Sequence, residues 1–413
     1  MTSQVLYYII LAIVVAGFLF GIVLDFLNSR TLNSRMPDAV KGIYDEEKYR
    51  KQQDYQRVNY RFELISGAFS FILILAMLCF RGFAVLDQFV RAISDSAIWQ
   101  TILFFGILGL AADLLATPFD LYQTFGIEQK FGFNTTTAYT YVFDKIKGWL
   151  LAGILGGGIL AMIVWLYYRT GDWFWVYVWG IITVFTVFIN YFYTVLLLPL
   201  FNKLTPLEPG SLYSDIDQFA KKTGFSLKSI YTMDGSKRST KGNAYFSGFG
   251  KQKKVVLFDT LVADHPNNEL VAILAHEIGH YKKNHIFKGL ALSFVQTGAL
   301  LYILSLLVGS PVLSASLGSS FPGFHMGLLA FGILYSPVSE FLGIGMNAIS
   351  RRHEYQADAF AAANHCGEDL QQALKKLSSK NLVNLLPHPF YVFVNYSHPP
   401  LLERLKALQK FKP

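Results

Sequence analysis

VAILAHEIGHYKKNHIFKGLALSFVQTGALL, residues 271–301, joins two kinds of sequence in one stretch. Its first half sets His276 and His280 four residues apart, with Glu277 beside the first. Its second half opens an apolar run, about 286–308, long enough to cross a bilayer, which needs roughly 20 residues. On an α-helix, positions i and i+4 lie one above the other, so both imidazoles can reach one ion. Catalytic zinc sites keep about three protein ligands and one water, and a glutamate one residue on can act on that water. The pattern is HExxH. The helix is expected to begin near Pro266, a residue suited to a first turn, and to run straight into the apolar segment.

The rest of the chain agrees with a membrane setting. Of its 413 residues, 53% are hydrophobic and only 15% charged, against about a quarter charged in soluble domains. The apolar residues fall in seven stretches, approximately 5–27, 63–84, 98–118, 149–168, 173–198, 286–308 and 324–349. The first lacks a basic flank and is too long for a signal-peptide core, so it too reads as a span. Lys and Arg alternate between the connections. Eight lie between the first two spans, three between the third and fourth, twelve in 200–285 and nine after 349. The intervening connections are poor: Arg81 at the end of the second span with Arg91 beyond it, then Arg169, then none. By the positive-inside rule, the N-terminus is expected outside, the C-terminus inside, and His276 at the cytoplasmic face. The net charge of +8 is explained by this pattern, so no nucleic-acid partner is expected. Cys79 and Cys366 are far apart, which excludes a disulfide framework and a cysteine zinc finger.

Four regions follow: residues 1–199 with five spans, a soluble segment 200–285, residues 286–349 with two spans, and a C-terminal helical segment 350–413. In the soluble segment a helix is expected over 213–223, strands over 227–233 and 253–258, and an extended stretch from Asn243. The C-terminal segment should break at Pro387 and at Pro399-Pro400. Asp113, Asn190, Glu340 and Asn347 lie in or at the edges of spans, where polar groups face a wet interior or bond between helices. His265 and His285, flanking the motif, read as solvated helix-end residues.

A third metal ligand is expected from SRRHEYQADAFAA, 350–362. It follows the last span directly and therefore emerges on the same face as His276. Glu354 and Asp358 again sit four apart. Glu354 is the expected ligand, and Asp358 would hydrogen-bond the far nitrogen of a ligating histidine and fix its tautomer.

These motifs carry a family resemblance. HEIGH at 276–280, SRRHEYQADAFA at 350–361, GIEQKFGFN at 126–134, LLPLFNKLTPL at 197–207, GNAYFSGFG at 242–250 and NYSHPPLLER at 395–404 resemble the Ste24-type CAAX prenyl proteases, integral-membrane zinc metalloproteases of the M48 family. The resemblance implies an all-α membrane protein with seven transmembrane helices enclosing a water-filled chamber. A small α+β zincin-like metalloprotease domain would lie at the cytoplasmic face. It implies one Zn²⁺ per chain on His276, His280 and Glu354, with Glu277 as general base. His398 would steady the oxyanion, and Asn243, Ala244 and Tyr245 would form an edge strand pairing with substrate backbone. Asp358 and Arg351 or Arg352 would support the ligands. The implied reaction removes the last three residues of a prenylated CAAX protein or peptide. The alternatives are a quality-control protease for unmodified chains and a non-catalytic transporter or lipid-binding bundle holding zinc structurally. A monomer in the bilayer is expected, in the endoplasmic reticulum or a bacterial inner membrane.

Overall fold

The computed structural model describes residues 1–32, 35–225, 229–247 and 254–411. Residues 227, 228, 253 and 248–250, which belong to expected strands and to the GNAYFSGFG motif, lie outside this set. The membrane part is built from α1 (Ser3–Ser29), α2 (Glu46–Cys79), α3 (Gly82–Ile93) and α4 (Ala97–Leu121). A π-helical turn, Tyr122–Glu128, leads from α4 to α5 (Gln129–Phe131). Then come α6 (Ala138–Leu151), α7 (Gly157–Thr170) and α8 (Phe174–Leu196). Helix α9 (Ser211–Lys222) and strands β1 (Leu204–Pro206), β2 (Ser229–Met233), β3 (Ala244–Ser247) and β4 (Lys254–Phe258) form the soluble segment. Helices α10 (Asp259–Asp264), α11 (Asn267–Lys282), α12 (His285–Leu307), α13 (Pro311–Ser316) and α14 (Phe324–Ala363) follow. The chain ends in α15 (Gly367–Lys380), α16 (Pro389–Asn395) and α17 (Leu401–Gln409).

Among the described residues six helical stretches are long and apolar enough to cross a membrane. The longest, Ala138–Leu196, has 59 residues, three times a bilayer's need at about 1.5 Å per residue. It covers the fourth and fifth stretches expected from sequence. The chain turns at Gly171, whose φ is +54°, a value glycine adopts without steric cost. Tyr167 and Phe174 then stack edge to face at 5.2 Å, closer than the roughly 10 Å that seven residues of straight helix would put between them. Helix α3 was not expected. It is held by a buried Asp87, which accepts from His325 Nε2 at 2.7 Å and Arg91 Nε at 2.7 Å. Arg91 is thus one half of an ion pair as well as a loop charge.

The polar groups within the spans are partnered in different ways. Asp113 accepts from Lys145 at 2.9 Å and from Trp149 at 2.9 Å, tying α4 to α6. Asn347 donates to the Val394 carbonyl at 2.7 Å, and Asn190 bonds within its own helix. Glu340 lines an apolar groove between α1 and α14.

The sheet has the order β1-β2-β4-β3. β2 and β4 are parallel in the centre, while β1 and β3 are antiparallel edges. Val255, Val256 and Leu257 of β4 are all buried, as a strand covered on both faces should be. Helices α9, α11, α14, α15 and α17 pack with it around Ile216, Phe225, Leu274, Ile278, Ala361, Leu370 and Leu408. A second cluster fastens this domain to the membrane part: Tyr49 and Tyr55 of α2 and Phe131 and Phe133 meet Leu385, Leu401 and Leu405 of the C-terminal segment.

The expected continuous helix from the motif into the sixth stretch is corrected. α11 ends at Lys282, and α12 starts at His285 after Asn284, which has φ +58°. That left-handed residue interrupts the helix and changes its direction.

Candidate metal centre and active site

Two helices build the centre, and one glycine sets their distance. A Cβ at Gly279 would stand 2.9 Å from Ala357 Cα and 3.1 Å from Ala357 O. Only a residue without Cβ lets the backbones of α11 and α14 approach so closely. Residues 276 and 280 of α11 then face 354 and 358 of α14. The latter helix is long enough to traverse the membrane part and still carry both carboxylates, with Glu354 and Asp358 buried.

The three residues named as metal ligands converge. His276 Nε2 and His280 Nε2 are 3.1 Å apart. Glu354 Oε1 is 3.2 Å from His280 Nε2, and its Oε2 is 3.5 Å from His276 Nε2. Two imidazole nitrogens and a carboxylate oxygen on a tetrahedral zinc, each about 2.05 Å from it, would lie roughly 3.3 Å from one another. Glu354 Oε2 is buried without a hydrogen-bond partner, though Arg404 Nη1 stands 3.5 Å away, and a metal ion between the three donors would satisfy it. The donor set therefore fits a metal of the zinc type.

The reverse sides of both imidazoles are taken. His276 Nδ1 lies 2.8 Å from Asp358 Oδ1. Arg404, itself buried, donates to Asp358 through Nε at 2.9 Å and Nη2 at 2.6 Å. Burial alone would lower the His276 pKa, but hydrogen bonds to Asp358 and Glu354 overcome it and raise the value to about 9. Glu277 lines the cavity beside the two histidines, and its burial raises its carboxyl above the ordinary range.

The cavity measures about 430 Å³. Its wall includes His276, Glu277, His280, Glu354 and His398, and on one side Asn243, Ala244 and Tyr245. Among the described residues β3 pairs with β4 alone, so its other edge carries no strand, the arrangement that strand addition requires. His398, largely exposed, has Nε2 3.5 Å from Glu354 Oε1 and Nδ1 3.0 Å from Ser397 Oγ.

Two expectations about neighbours are corrected. Arg351 donates to the carbonyls of Val392 at 3.2 Å and of Tyr396, bracing the loop that carries His398 and not the ligands directly, while Arg352 is exposed. The arginine on Asp358 is Arg404. Its signal was readable, because it falls on the apolar stripe of Leu401, Leu405 and Leu408, where a charge must find a buried partner. His265 and His285 are both buried. His265 Nδ1 pairs with Glu269 at 2.6 Å, and His285 Nδ1 lies 3.0 Å from His280 Nδ1.

Membrane-crossing helices that place a two-histidine, one-carboxylate group beside a half-buried glutamate describe a membrane-embedded metalloprotease. Comparison with known proteins agrees. A family model described as CAAX prenyl protease N-terminal, five membrane helices, matches residues 26–203, and that of peptidase family M48 matches 206–412. The CAAX prenyl protease 1 homolog of Arabidopsis thaliana is 34% identical over 388 residues, covering 90% of each chain. CAAX prenyl protease 1 of Saccharomyces cerevisiae is 33% identical, over 91% of this chain and 88% of the relative. The crystal structure of S. mikatae Ste24p superposes with a TM-score of 0.93 at 31% identity, over 98% of this chain and 99% of that one. The chain belongs to the CAAX prenyl protease family of M48 peptidases. It is a multi-pass membrane metalloprotease. The family implies a metal cofactor, and the reading as a non-catalytic bundle falls.

Proposed function

We propose that this chain is a zinc endopeptidase that removes the C-terminal tripeptide from prenylated CAAX proteins or peptides. The observation that carries the reading is the convergence of His276, His280 and Glu354 in a cavity bordered by an open strand edge. The relatives' names supply the substrate class.

Zn²⁺ on these three residues would act as a Lewis acid and bring the pKa of a bound water toward about 7. The chain's own groups do the rest. Substrate backbone adds to β3 beside Asn243–Tyr245, with the scissile carbonyl over the ligand group. Glu277, its carboxyl made more basic by burial, takes a proton from the attacking water and delivers it to the leaving amine. His398 donates to the developing oxyanion, an effect worth about 3 kcal/mol in comparable sites. Asp358, held by Arg404, keeps the His276 proton on Nδ1 and leaves Nε2 free.

The membrane part is read as seven crossings, with the turn at Gly171 dividing the longest stretch, around the water-filled chamber that the family resemblance implies. The Lys and Arg asymmetry puts the N-terminus out and the centre toward the cytoplasm. The test is mass spectrometry of a farnesylated CAAX peptide incubated with purified protein, with and without chelator, against the unmodified peptide in competition. Release of the intact tripeptide, lost with chelator and faster from the farnesylated peptide, is expected. Equal or preferred cleavage of unmodified peptide would instead make it a quality-control protease.

A further inference from the structure

His276 has a carboxylate behind it, but among the described residues His280 has none on its Nδ1. What stands there is His285. In an unbroken helix, five residues advance about 500°, which would turn residue 285 roughly 140° away from 280. The left-handed Asn284 undoes this and swings His285 back, so that the two Nδ1 atoms lie 3.0 Å apart. His285 is 5% exposed. Its Nε2 is 2.8 Å from Gln356 Oε1, and the ring of His353 lies flat on it at 3.8 Å with an interplanar angle of 9°.

Proton placement in this chain has one consistent solution. Nε2 of His280 faces Glu354 and His276, so to bind a metal it must carry no proton, and the proton sits on Nδ1. His285 Nδ1 must then accept. Its own proton is on Nε2 and is donated to Gln356 Oε1, an atom that only accepts. We propose that His285 is the positioning residue for His280: it accepts the Nδ1 proton and holds the ring, with Gln356 setting its tautomer and His353 its plane. The two ligating imidazoles are therefore oriented by different chemistry, one by a carboxylate and one by a neutral imidazole. The inference rests on the metal-centre reading above.

The test uses the full-length protein in detergent, stripped of metal and titrated with zinc against a chromophoric chelator, with cobalt-substituted visible spectra alongside. His285→Leu is expected to weaken zinc binding roughly 10- to 100-fold and to alter the cobalt bands. In His285→Asn the amide oxygen can accept in place of Nδ1, and affinity should stay within about threefold of wild type. Gln356→Leu should fall between. Zinc affinity of His285→Leu within twofold of wild type, or of His285→Asn as weak as His285→Leu, overturns the proposal. If the leucine variant does not fold, unchanged affinity in Gln356→Leu overturns it. Wild-type protein that takes up no zinc refutes the metal centre itself, a separate result.

Discussion

Replacing Gly279 by alanine tests whether the spacing of two helices makes the active site. The added Cβ would land 2.9 Å from Ala357 Cα and 3.1 Å from both Ala357 O and Phe360 Cβ. Unstrained carbon contacts lie at about 3.5–4.0 Å, so α11 and α14 must separate by roughly 0.5–1 Å. Overpacking of this size costs about 1–3 kcal/mol, and alanine's better helix propensity returns about 1 kcal/mol. The fold should therefore survive with a small drop in melting temperature. The centre should not. Its donors come from both helices, metal–ligand distances tolerate about 0.2 Å, and misplacement by about 1 Å can cost roughly 10²-fold in rate. Peptide cleavage, bound zinc and thermal melting are to be measured together. Gly289→Ala in α12, where a Cβ would meet nothing within 4 Å, is the control and should behave as wild type. A Gly279→Ala enzyme that cleaves within threefold of wild type would refute the reasoning.

Three other outcomes are expected. Glu277→Gln should bind zinc normally and lose about 10²–10⁴-fold in turnover, with metal content and initial rates measured on the same preparation; wild-type turnover would remove the base role. His398→Ala should lower kcat about 10²-fold with KM and zinc content little changed, and a loss confined to KM would make it a substrate contact instead. The third concerns pH. The metal-free His276 pKa is raised from 6.5 to about 9, so its contribution to stability is complete below about pH 6.5 and disappears as pH climbs through about 9, at most about 3 kcal/mol. Metal uptake displaces that proton. Zinc should therefore raise the melting temperature more at pH 9 than at pH 6.5, and an equal gain at both would contradict the assignment.

Periodicity and spacing made much of this protein legible. Runs of apolar residues declare themselves because lipid demands an unbroken length of about 20. HExxH and Glu354-x-x-x-Asp358 could each be placed on one helical face because the α-helix repeats every 3.6 residues. Strand β1 was missed, since Leu204–Pro206 is only three residues long and shows no alternation. The α3 helix was missed because its buried Asp87 looks like a loop charge until His325, 238 positions away, is brought against it. Arg404 was quoted within a motif yet given no task, and the support expected from Arg351 or Arg352 comes to Asp358 from Arg404.

Local sequence thus determined the long helices, which segments are apolar enough for lipid, and which side chains have the chemistry of a metal centre. Local forces act over a few residues, and these features repeat within that range. Tertiary structure decided which partners meet: that Asp358 stands behind His276 in particular, with Arg404, 46 positions along, upon it, and that His285 stands behind His280 through a single left-handed residue. Periodicity can mark a residue such as Arg404 as buried, but which partner it meets depends on how closely helices pack and where they bend, and that leaves no periodic trace in the chain.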